Sequence, residues 1–324
     1  MNLSDIQLPI APLLQHFHDA QNRMATSNIA IIQQLNAHIQ ANKGKQLRPL
    51  LTIISACCCG LPLNAQPTHP IFSTAAAIEM LHTSTLIHDD VIDNSNLRRN
   101  SPTVNSLWNN KTAVLIGDFY LAQVMKTINN INNHLLTNAI SNTVIQMCEG
   151  ELLQQQCSGL YNTDINLYLT IINKKTATLI STCTLSGAIL ANNDPAIHTA
   201  AAQFGTELGI AFQIRDDIID FLPPNTTGKP QGNDIREHKC TLPIILALKN
   251  PKTKEKLLPL INKNNISHSD LQAAITLITD AGYIHLAKNE LYKHLQHAHT
   301  LLHNLPDNIY RQAMSDIVDS LKEI

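Results

Sequence analysis

The feature that most restricts the fold is a long run that is apolar on nearly every side at helical spacing. It covers residues 69–94, HPIFSTAAAIEMLHTSTLIHDDVIDN. A helix that is hydrophobic all round has to be buried in the middle of a larger core. Apolar residues recur at spacings of three and four along the chain, whereas alternation with a period of two is scarce. The sequence therefore predicts an all-α fold, a single-domain bundle of long helices over residues 1–324.

Local signals predict where several helices begin and end. The run SNIAIIQQLNAHIQAN has Ser27 or Asn28 as its expected cap and ends before Gly44. The run RPLLTIISACCCG has Pro49 near its start and Gly60 as its stop. Shorter, more polar helices are expected after residue 240. Further helices are expected in KTAVLIGDFYLAQVMKTI, NHLLTNAISNTVIQMCEGELLQQQC, INLYLTIINKKTATLISTCTLSGAILA and PAIHTAAAQFGTELGIAFQIRDDIIDF.

Composition excludes some classes of partner and location. With a formal net charge of -2, the chain has no basic surplus to neutralise a nucleic acid backbone. Its seven cysteines show no paired spacing, which favours buried thiols in a reducing cytosol. The N-terminus lacks the features of a signal peptide, and the apolar stretches are too short or too rich in Ser and Thr to span a bilayer. We therefore expect a cytoplasmic protein, with transient membrane contact left open for a membrane-bound substrate or product.

Two groups of three aspartates share the spacing i, i+1 and i+4 near the C-terminal ends of two apolar helical runs. They are Asp89, Asp90 and Asp93, and Asp216, Asp217 and Asp220. Like charges at this spacing destabilise a helix, and uncompensated carboxylates in apolar surroundings are costly. Divalent cations would compensate them, and oxygen ligands without interleaved His or Cys fit Mg²⁺ better than Zn²⁺. The pattern predicts two aspartate clusters that bind a diphosphate through several Mg²⁺ ions.

A diphosphate site also needs cations, and basic residues occur in loops beside the apolar helices. Arginine offers forked donors to phosphate, and lysine offers a compact charge. Any single one of these residues could be ordinary surface charge, so their recurrence is the informative feature. The candidates are Lys45, Arg48, Arg98, Arg99, Lys175, Lys229 and Lys239.

The sequence resembles the trans-isoprenyl diphosphate synthases, also called polyprenyl synthetases, from about residue 40 to about residue 250. The matching motifs, in order, are GKQLRP, LIHDDVID, LRR, KTATLI, GIAFQIRDDIIDF and GKPQGNDIREHKCTLP. The resemblance implies an all-α prenyltransferase of the isoprenoid synthase type, with a central substrate cavity and Mg²⁺ ions between the two aspartate motifs. It further implies repeated addition of isopentenyl diphosphate to an allylic diphosphate by a homodimer, with the departing diphosphate as the proton acceptor.

The resemblance also implies roles for individual residues. Thr176 and Gln213 would place polar oxygens near the developing carbocation, and Asp220 would lie next to the metal ligands. The implied Mg²⁺ ligands are Asp89, Asp90, Asp93, Asp216 and Asp217. The implied cations around the allylic diphosphate are Arg98, Lys175, Lys229 and Lys239. The implied pocket for isopentenyl diphosphate contains Lys45, Arg48, His82 and Arg99.

The chain departs from the family pattern at two places. Asn100 and Ser101 follow the arginine pair where the family often has Gly-Lys. His238 precedes Lys239 where the family often has glycine, so a loop that glycine would leave free is expected to be restricted.

Small residues below the first motif favour a long product. Ser84 and Thr85 lie five and four positions before Asp89, one helical turn or about 5.4 Å down the helix. Short-chain members of the family carry bulky aromatic residues near here. Met125 is a candidate tunnel floor, although ordinary core packing is the favoured interpretation. We expect an octaprenyl-type product, made from farnesyl diphosphate, that supplies quinone side chains.

Other classes of protein are less consistent with the sequence. A terpene cyclase needs aromatic walls around its cations, and 4% of the residues are aromatic. A ferritin-like dimetal protein needs Glu and Glu-x-x-His ligands. A short-chain farnesyl or geranylgeranyl diphosphate synthase, or a non-catalytic partner subunit, remains an alternative within the family. The histidines near the end could bind a metal, although a solvated helix face is the favoured interpretation: His294, His297, His299 and His303.

Overall fold

The computed structural model describes residues 6–223 and 231–323, and most of them are helical. After a 3₁₀ turn at Leu8–Ile10, the first helices are α1 (Ala11–Ala25), α2 (Ala30–Ala41), α3 (Leu47–Cys58), α4 (Pro70–Ile92), α5 (Val104–Leu107), α6 (Asn110–Ile131), α7 (His134–Cys157) and α8 (Ile165–Ile172). A π-helical turn, Asn173–Ala177, follows α8. The later helices are α9 (Thr178–Ala191), α10 (Pro195–Ile219), α11 (Asn233–Arg236), α12 (Leu242–Lys249), α13 (Pro251–Ile261), α14 (His268–Asp280), α15 (Tyr283–Leu302) and α16 (Ile309–Ser320). The all-α prediction is confirmed.

The Cα positions divide the described residues into two compact units. Unit 1 contains residues 6–141, 182–201 and 305–314, and unit 2 contains residues 142–181, 202–223, 231–304 and 315–323. The expectation of one domain over residues 1–324 stays a prediction.

Helix α4 is the buried centre of unit 1, as its apolar sequence predicts. Pro70 occupies its first turn, where a missing N–H costs nothing, and the side chain of His69 accepts the N–H of Ile71 at 3.2 Å. The helix packs against α1, α3 and α6. Its close packing against α6 depends on Gly117, because a Cβ there would collide with the ring of His88. His88 therefore packs against α6.

Unit 2 has its own apolar core. Phe221, Leu257 and Ile278 are each at most 1% exposed and belong to one cluster that the helices after residue 240 help to build. Helix α15, Tyr283–Leu302, is longer than the short helices predicted for this part of the chain. None of the helices among the described residues is both long and apolar enough to cross a bilayer.

A small antiparallel hairpin follows α4 and was missed from the sequence. Leu97 pairs with Pro102 and Arg98 pairs with Ser101. The two turn residues, Arg99 and Asn100, have φ values of 52° and 61°. Asparagine tolerates this left-handed conformation, so Asn100 serves a turn in which the family often uses glycine.

Helix α2 begins later than predicted. Its first residue is Ala30 and its N-cap residue is Ile29, so the prediction of Ser27 or Asn28 as the cap is wrong. The Ser27 hydroxyl instead accepts the N–H of Ile29 at 3.2 Å, which organises the turn before the helix.

Candidate active site

The first aspartate cluster forms the end of α4. Asp89 and Asp90 lie in the last turn, and Asp93 is the C-cap residue, whose N–H donates to the Asp89 carbonyl at 2.8 Å. The Asp90 residue is 5% exposed, Asp89 is half-buried and Asp93 is exposed. The carboxylates lie at the helix end whose dipole is unfavourable for anions, so they need cations nearby.

Arg98 supplies one such cation to Asp90. Its Nε and Nη2 atoms lie 2.9 and 2.8 Å from Oδ1 of Asp90. Burial raises the pKa of Asp90 above its ordinary value, and the guanidinium opposes that rise. The hairpin that carries Arg98 therefore fixes a predicted diphosphate cation against a predicted metal ligand.

A pocket in unit 1 contains two of the four residues predicted to bind isopentenyl diphosphate, His82 and Arg99. Its lining includes Lys43, Gly44, Glu79, His82, Asp90, Arg98 and Arg99. Burial holds the pKa of His82 well below its ordinary value, and Arg48, Arg99 and Arg98 lower it further. The imidazole is therefore neutral at pH 7. Arg48 affects the pKa of His82 and Glu79 from outside this lining, and Lys45 also lies outside it.

Gly44 allows Arg99 to approach the pocket. A Cβ on Gly44 would collide with the guanidinium of Arg99, and Nη1 of Arg99 donates to the Asn42 carbonyl at 3.2 Å. A side chain at position 44 would therefore displace Arg99, which is a predicted phosphate ligand.

The residues predicted to control product length face different surroundings. Ser84 is 2% exposed and donates to the Gly117 carbonyl at 2.8 Å, where α4 meets α6. Thr85 is half-buried and donates to the His82 carbonyl at 2.8 Å within its own helix. Met125 is 66% exposed on α6, so the favoured interpretation of ordinary core packing is wrong. The role of all three in chain length stays a prediction.

The second aspartate cluster forms the end of α10 in unit 2. Asp216 and Asp217 lie in the last turn, and Asp220 follows the final helical residue, Ile219. Asp217 is 4% exposed, and burial raises the pKa of its carboxyl to about 7. The hydrogen bonds that it accepts act in the opposite direction, because they favour the ionised form.

Asp217 is held by a chain of polar side chains. Its Oδ2 accepts the Tyr168 hydroxyl at 2.6 Å, and its Oδ1 accepts Nε2 of Gln213 at 2.8 Å. Oε1 of Gln213 in turn accepts the Thr176 hydroxyl at 2.8 Å. Thr176 and Gln213, both predicted from the family motifs, are therefore in contact with each other and linked to a predicted metal ligand.

The π-helical turn presents Lys175 and Thr176. Such turns often occur at functional sites because they re-aim side chains that a regular helix would place elsewhere. Gly150 allows the turn to pack closely on α7, since a Cβ there would lie 2.7 Å from the Lys175 backbone nitrogen. Nζ of Lys175 forms an ion pair with Oε2 of Glu151 at 2.5 Å.

A pocket in unit 2 collects residues from several of these segments. Its lining includes Tyr168, Lys175, Thr176, Gln213, Asp217, Asp234 and Lys239. Nζ of Lys239 pairs with Glu237 at 2.5 Å. The Asp220 carboxylate accepts the N–H groups of Asn233 and Asp234 at 3.0 and 3.1 Å, so it also holds the segment that precedes Lys239. Lys229 lies outside the described residues.

The buried carboxylate of each unit suits a hard divalent cation. Asp90 and Asp217 offer buried carboxylate oxygens that other side chains already orient, and oxygen ligands of this kind are what Mg²⁺ prefers. Burial raises the pKa of both carboxyls, so a bound cation would offset the cost of ionising them. Within residues 6–223 and 231–323, no three His, Cys, Asp or Glu side chains converge as a ready metal site.

Three residues that line the unit 2 pocket or contact its lining were missed in the sequence. Tyr168 contacts Asp217, Glu151 contacts Lys175, and Asp234 lines the unit 2 pocket, where burial holds its pKa well above its ordinary value. A signal existed for Asp234, which lies inside the motif GKPQGNDIREHK. Tyr168 and Glu151 are ordinary helical residues in the sequence, and the folded chain alone reveals their partners.

The terminal histidines do not share one environment. His294 is 14% exposed and its Nδ1 lies 2.7 Å from Glu207, so the prediction of a solvated face is wrong for this residue. His297 is 75% exposed, as predicted.

The chain is similar to known proteins over most of its length. The chain matches the polyprenyl synthetase family over residues 29–278. It is 34% identical over 314 residues to an all-trans-nonaprenyl-diphosphate synthase (geranyl-diphosphate specific) from Rhodobacter capsulatus, covering 97% of this chain and 95% of that one. It is 35% identical over 296 residues to heptaprenyl diphosphate synthase component 2 of Bacillus subtilis, covering 90% of this chain and 82% of that one.

A solved structure shares the same fold. It is a polyprenyl synthase from Caulobacter crescentus CB15 complexed with calcium and isoprenyl diphosphate. It superposes with a TM-score of 0.92 and 30% identity, covering 99% of this chain and 98% of that chain.

Proposed function

This chain belongs to the polyprenyl synthetase family and is a prenyltransferase of the trans-polyprenyl diphosphate synthase type, and from that premise we propose that it condenses isopentenyl diphosphate repeatedly with an allylic diphosphate. The proposed starter is farnesyl diphosphate, and the proposed product is a long-chain all-trans polyprenyl diphosphate for quinone side chains. The observation that carries the proposal is the unit 2 pocket, in which Lys175, Lys239 and Asp217 share one lining with Thr176 and Gln213.

The cations of both units have a clear task in this reaction. When the allylic C–O bond breaks, negative charge collects on the leaving diphosphate, and fixed cations stabilise that charge more in the transition state than in the ground state. Arg98, Lys175 and Lys239 would do this, since each already faces a carboxylate. Diphosphate oxygens would replace or share those carboxylate partners.

The aspartates would hold divalent metal ions. Asp89, Asp90, Asp93, Asp216 and Asp217 would be the ligands, and the bound ions would neutralise diphosphate charge during ionisation. Mg²⁺ is the proposed ion, with several ions per active site. The Caulobacter relative carries calcium with isoprenyl diphosphate, which supports a divalent cation at sites of this type.

Thr176 and Gln213 would stabilise the carbocation. The Thr176 hydroxyl donates its proton to Gln213, so the lone pairs of its oxygen are available to face positive charge. Isopentenyl diphosphate would be held beside Arg99 and the neutral His82 in the unit 1 pocket. Its double bond attacks the cation, and the departing diphosphate removes the proton.

We further propose that the chain forms a homodimer. Helix α6 exposes Val114, Leu115 and Met125 at 41%, 58% and 66%, and an exposed apolar face of this kind is typical of an association surface. The change Leu115→Glu should shift the molecular mass measured by light scattering towards the monomer. The exposed control Lys256→Glu, on α13, should leave the mass unchanged.

The deciding experiment incubates the purified chain with labelled isopentenyl diphosphate, farnesyl diphosphate and Mg²⁺, followed by measurement of product length. Repeated elongation supports the proposal. Failure to elongate farnesyl diphosphate, or arrest after a single addition to it, would favour the short-chain alternative. Activity that appears only with a second protein would favour a partner subunit, as the name of the Bacillus component suggests for that relative.

A further inference from the structure

We propose that Tyr161 and His238 form a clamp that positions the loop 237–239, and with it the Lys239 ammonium, for the allylic diphosphate. The inference rests on the proposed function for its ligand. It concerns the position where this chain departs from its family, because His238 stands where glycine is frequent. Both residues belong to unit 2. The sequence predicts that His238 restricts the loop, whereas Tyr161 has no role predicted from the sequence.

Both members of the clamp have a backbone conformation that ordinary residues avoid. Tyr161 has a φ of 47° and His238 has a φ of 54°. For a residue with a Cβ, this left-handed region is strained, and such strain persists where the surrounding contacts over-determine it. The two strained residues are in direct contact, because the Tyr161 hydroxyl lies 2.9 Å from Nδ1 of His238.

The direction of the hydrogen bonds follows from their partners. The Tyr161 hydroxyl lies 2.5 Å from the carbonyl oxygen of Ile261, which can only accept. Burial raises the pKa of Tyr161 to about 12, so the hydroxyl keeps its proton and donates it to Ile261. The tyrosine oxygen must then accept from His238, which requires the proton of the imidazole on Nδ1.

This chain of bonds ties the loop to a rigid element. Ile261 ends α13 and is fully buried, and Tyr161 is 9% exposed in the same apolar core. The His238 carbonyl also accepts the N–H of Gly159 at 3.2 Å, so the side chain and the backbone of residue 238 both attach to the segment 159–161.

Lys239 is the next residue, and its position depends on the same loop. Its N–H donates to the Asp234 carbonyl at 2.8 Å, and its side chain lines the unit 2 pocket. With glycine at position 238, the loop would keep more freedom before a ligand arrives. The histidine instead fixes the loop in advance, which reduces the entropy lost when Lys239 binds a phosphate.

The test compares two tyrosines that each lose one buried hydroxyl. Tyr161→Phe breaks the clamp. Tyr283→Phe is the matched control, because Tyr283 belongs to the same core and its hydroxyl bonds Thr253 at 2.8 Å, away from the loop. Amide hydrogen exchange is read at residues 238 and 239, whose N–H groups bond the carbonyls of Ile235 and Asp234.

Tyr161→Phe should speed exchange at these two amides by about tenfold, and Tyr283→Phe should not. It should also raise KM for the allylic diphosphate about fivefold with little change in kcat or in KM for isopentenyl diphosphate, and it should weaken binding of inorganic pyrophosphate in calorimetry. Equal exchange at 238 and 239 in both variants would overturn the clamp. If the wild type makes no prenyl product, the proposed function fails, while exchange and pyrophosphate binding still decide this inference.

A second variant separates positioning from stability. His238→Gly removes the backbone strain and the Nδ1 bond together, so it should keep the melting temperature near that of the wild type while still speeding exchange at Lys239. If His238→Gly exchanges as slowly as the wild type, the histidine does not restrain the loop and the proposal is wrong.

Discussion

The hydroxyl of Tyr168 donates a 2.6 Å hydrogen bond to Oδ2 of Asp217, and both side chains are buried. Burial holds the pKa of Tyr168 well above its ordinary value, so the tyrosine stays protonated and acts as the donor. Gln213 occupies the other carboxylate oxygen. Hydrogen bonds from Tyr168 and Gln213 thereby hold Asp217, a proposed metal ligand, in one orientation.

Loss of this donor should weaken metal binding. Tyr168→Phe is expected to raise the Mg²⁺ concentration for half-maximal turnover by about tenfold, since partners that orient a metal ligand affect affinity on that scale. Mn²⁺ binding followed by electron paramagnetic resonance should show the same weakening without turnover. Tyr283→Phe is the control. An unchanged metal requirement in Tyr168→Phe would show that Asp217 does not need the tyrosine.

Both aspartate clusters should be required for ionisation of the allylic substrate. Asp89→Ala and Asp216→Ala should each reduce turnover by a factor on the order of 10² or more, with helix content by circular dichroism nearly unchanged. The control is Asp118→Ala, which removes an exposed aspartate from α6. Near-normal turnover of either cluster variant at saturating Mg²⁺ would contradict the proposed metal ligands.

The cations should divide between two substrates. Arg99→Gln should raise KM for isopentenyl diphosphate by about tenfold, and Lys239→Gln should do so for the allylic diphosphate, because each loses a charge-assisted phosphate contact. Lys174→Gln is the control, since Lys174 pairs with Glu149 and lies outside the unit 2 pocket lining. Equal effects on both substrates from both variants would refute the division.

The helices could be predicted because their signals are local. The run that became α4 is apolar on all sides, and its observed start at Pro70 follows from a proline and a capping side chain next to each other in sequence. The motif residues Thr176, Gln213 and Asp217 were also predicted, and they do come together.

Features that depend on distant contacts could not be predicted. The π-helical turn at Lys175 relies on close packing against Gly150. In the sequence, Tyr168 is one residue of an apolar helical run, and the structure places its hydroxyl beside Asp217. Local patterns carry no information about such pairs, because the partners are far apart in the chain.

The cap of α4 should make stability depend on pH. Nδ1 of His69 accepts the Ile71 N–H, and burial lowers the pKa of this histidine below its ordinary value of 6.5. Protonation would turn the acceptor into a donor. A depressed folded-state pKa means that the stabilisation is complete above about pH 6.5 and is lost as the pH falls through the folded-state pKa.

His69→Asn should keep the cap at every pH, since the asparagine oxygen still accepts. We expect its melting temperature to fall less than that of the wild type between about pH 7 and pH 5. His285→Asn, which removes an exposed histidine, should behave as the wild type does. Parallel pH profiles for wild type and His69→Asn would show that the cap does not titrate.

Product length should depend on which side of α4 receives a large ring. Ser84 is 2% exposed and bonds the Gly117 carbonyl, so Ser84→Phe has to place its ring where α4 and α6 are closest. Thr85 is half-buried at the next position and bonds its own helix. Thr85→Phe therefore introduces the same ring with less overpacking of the core. Comparison of the two variants distinguishes a blocked tunnel from a damaged core.

A ring at either position would lie about one helical turn below Asp89. A tunnel blocked there should stop elongation after about one or two additions, while the first condensation continues at a comparable rate. Overpacking should instead lower the melting temperature and slow every step, because close-packed interiors accept extra atoms poorly. Product length by chromatography and a thermal melt are measured for both variants and for Ser84→Ala. If a variant is folded and active yet makes products of wild-type length, the residue that it replaces does not limit product length. If both phenylalanine variants behave so, the product is limited elsewhere in the fold.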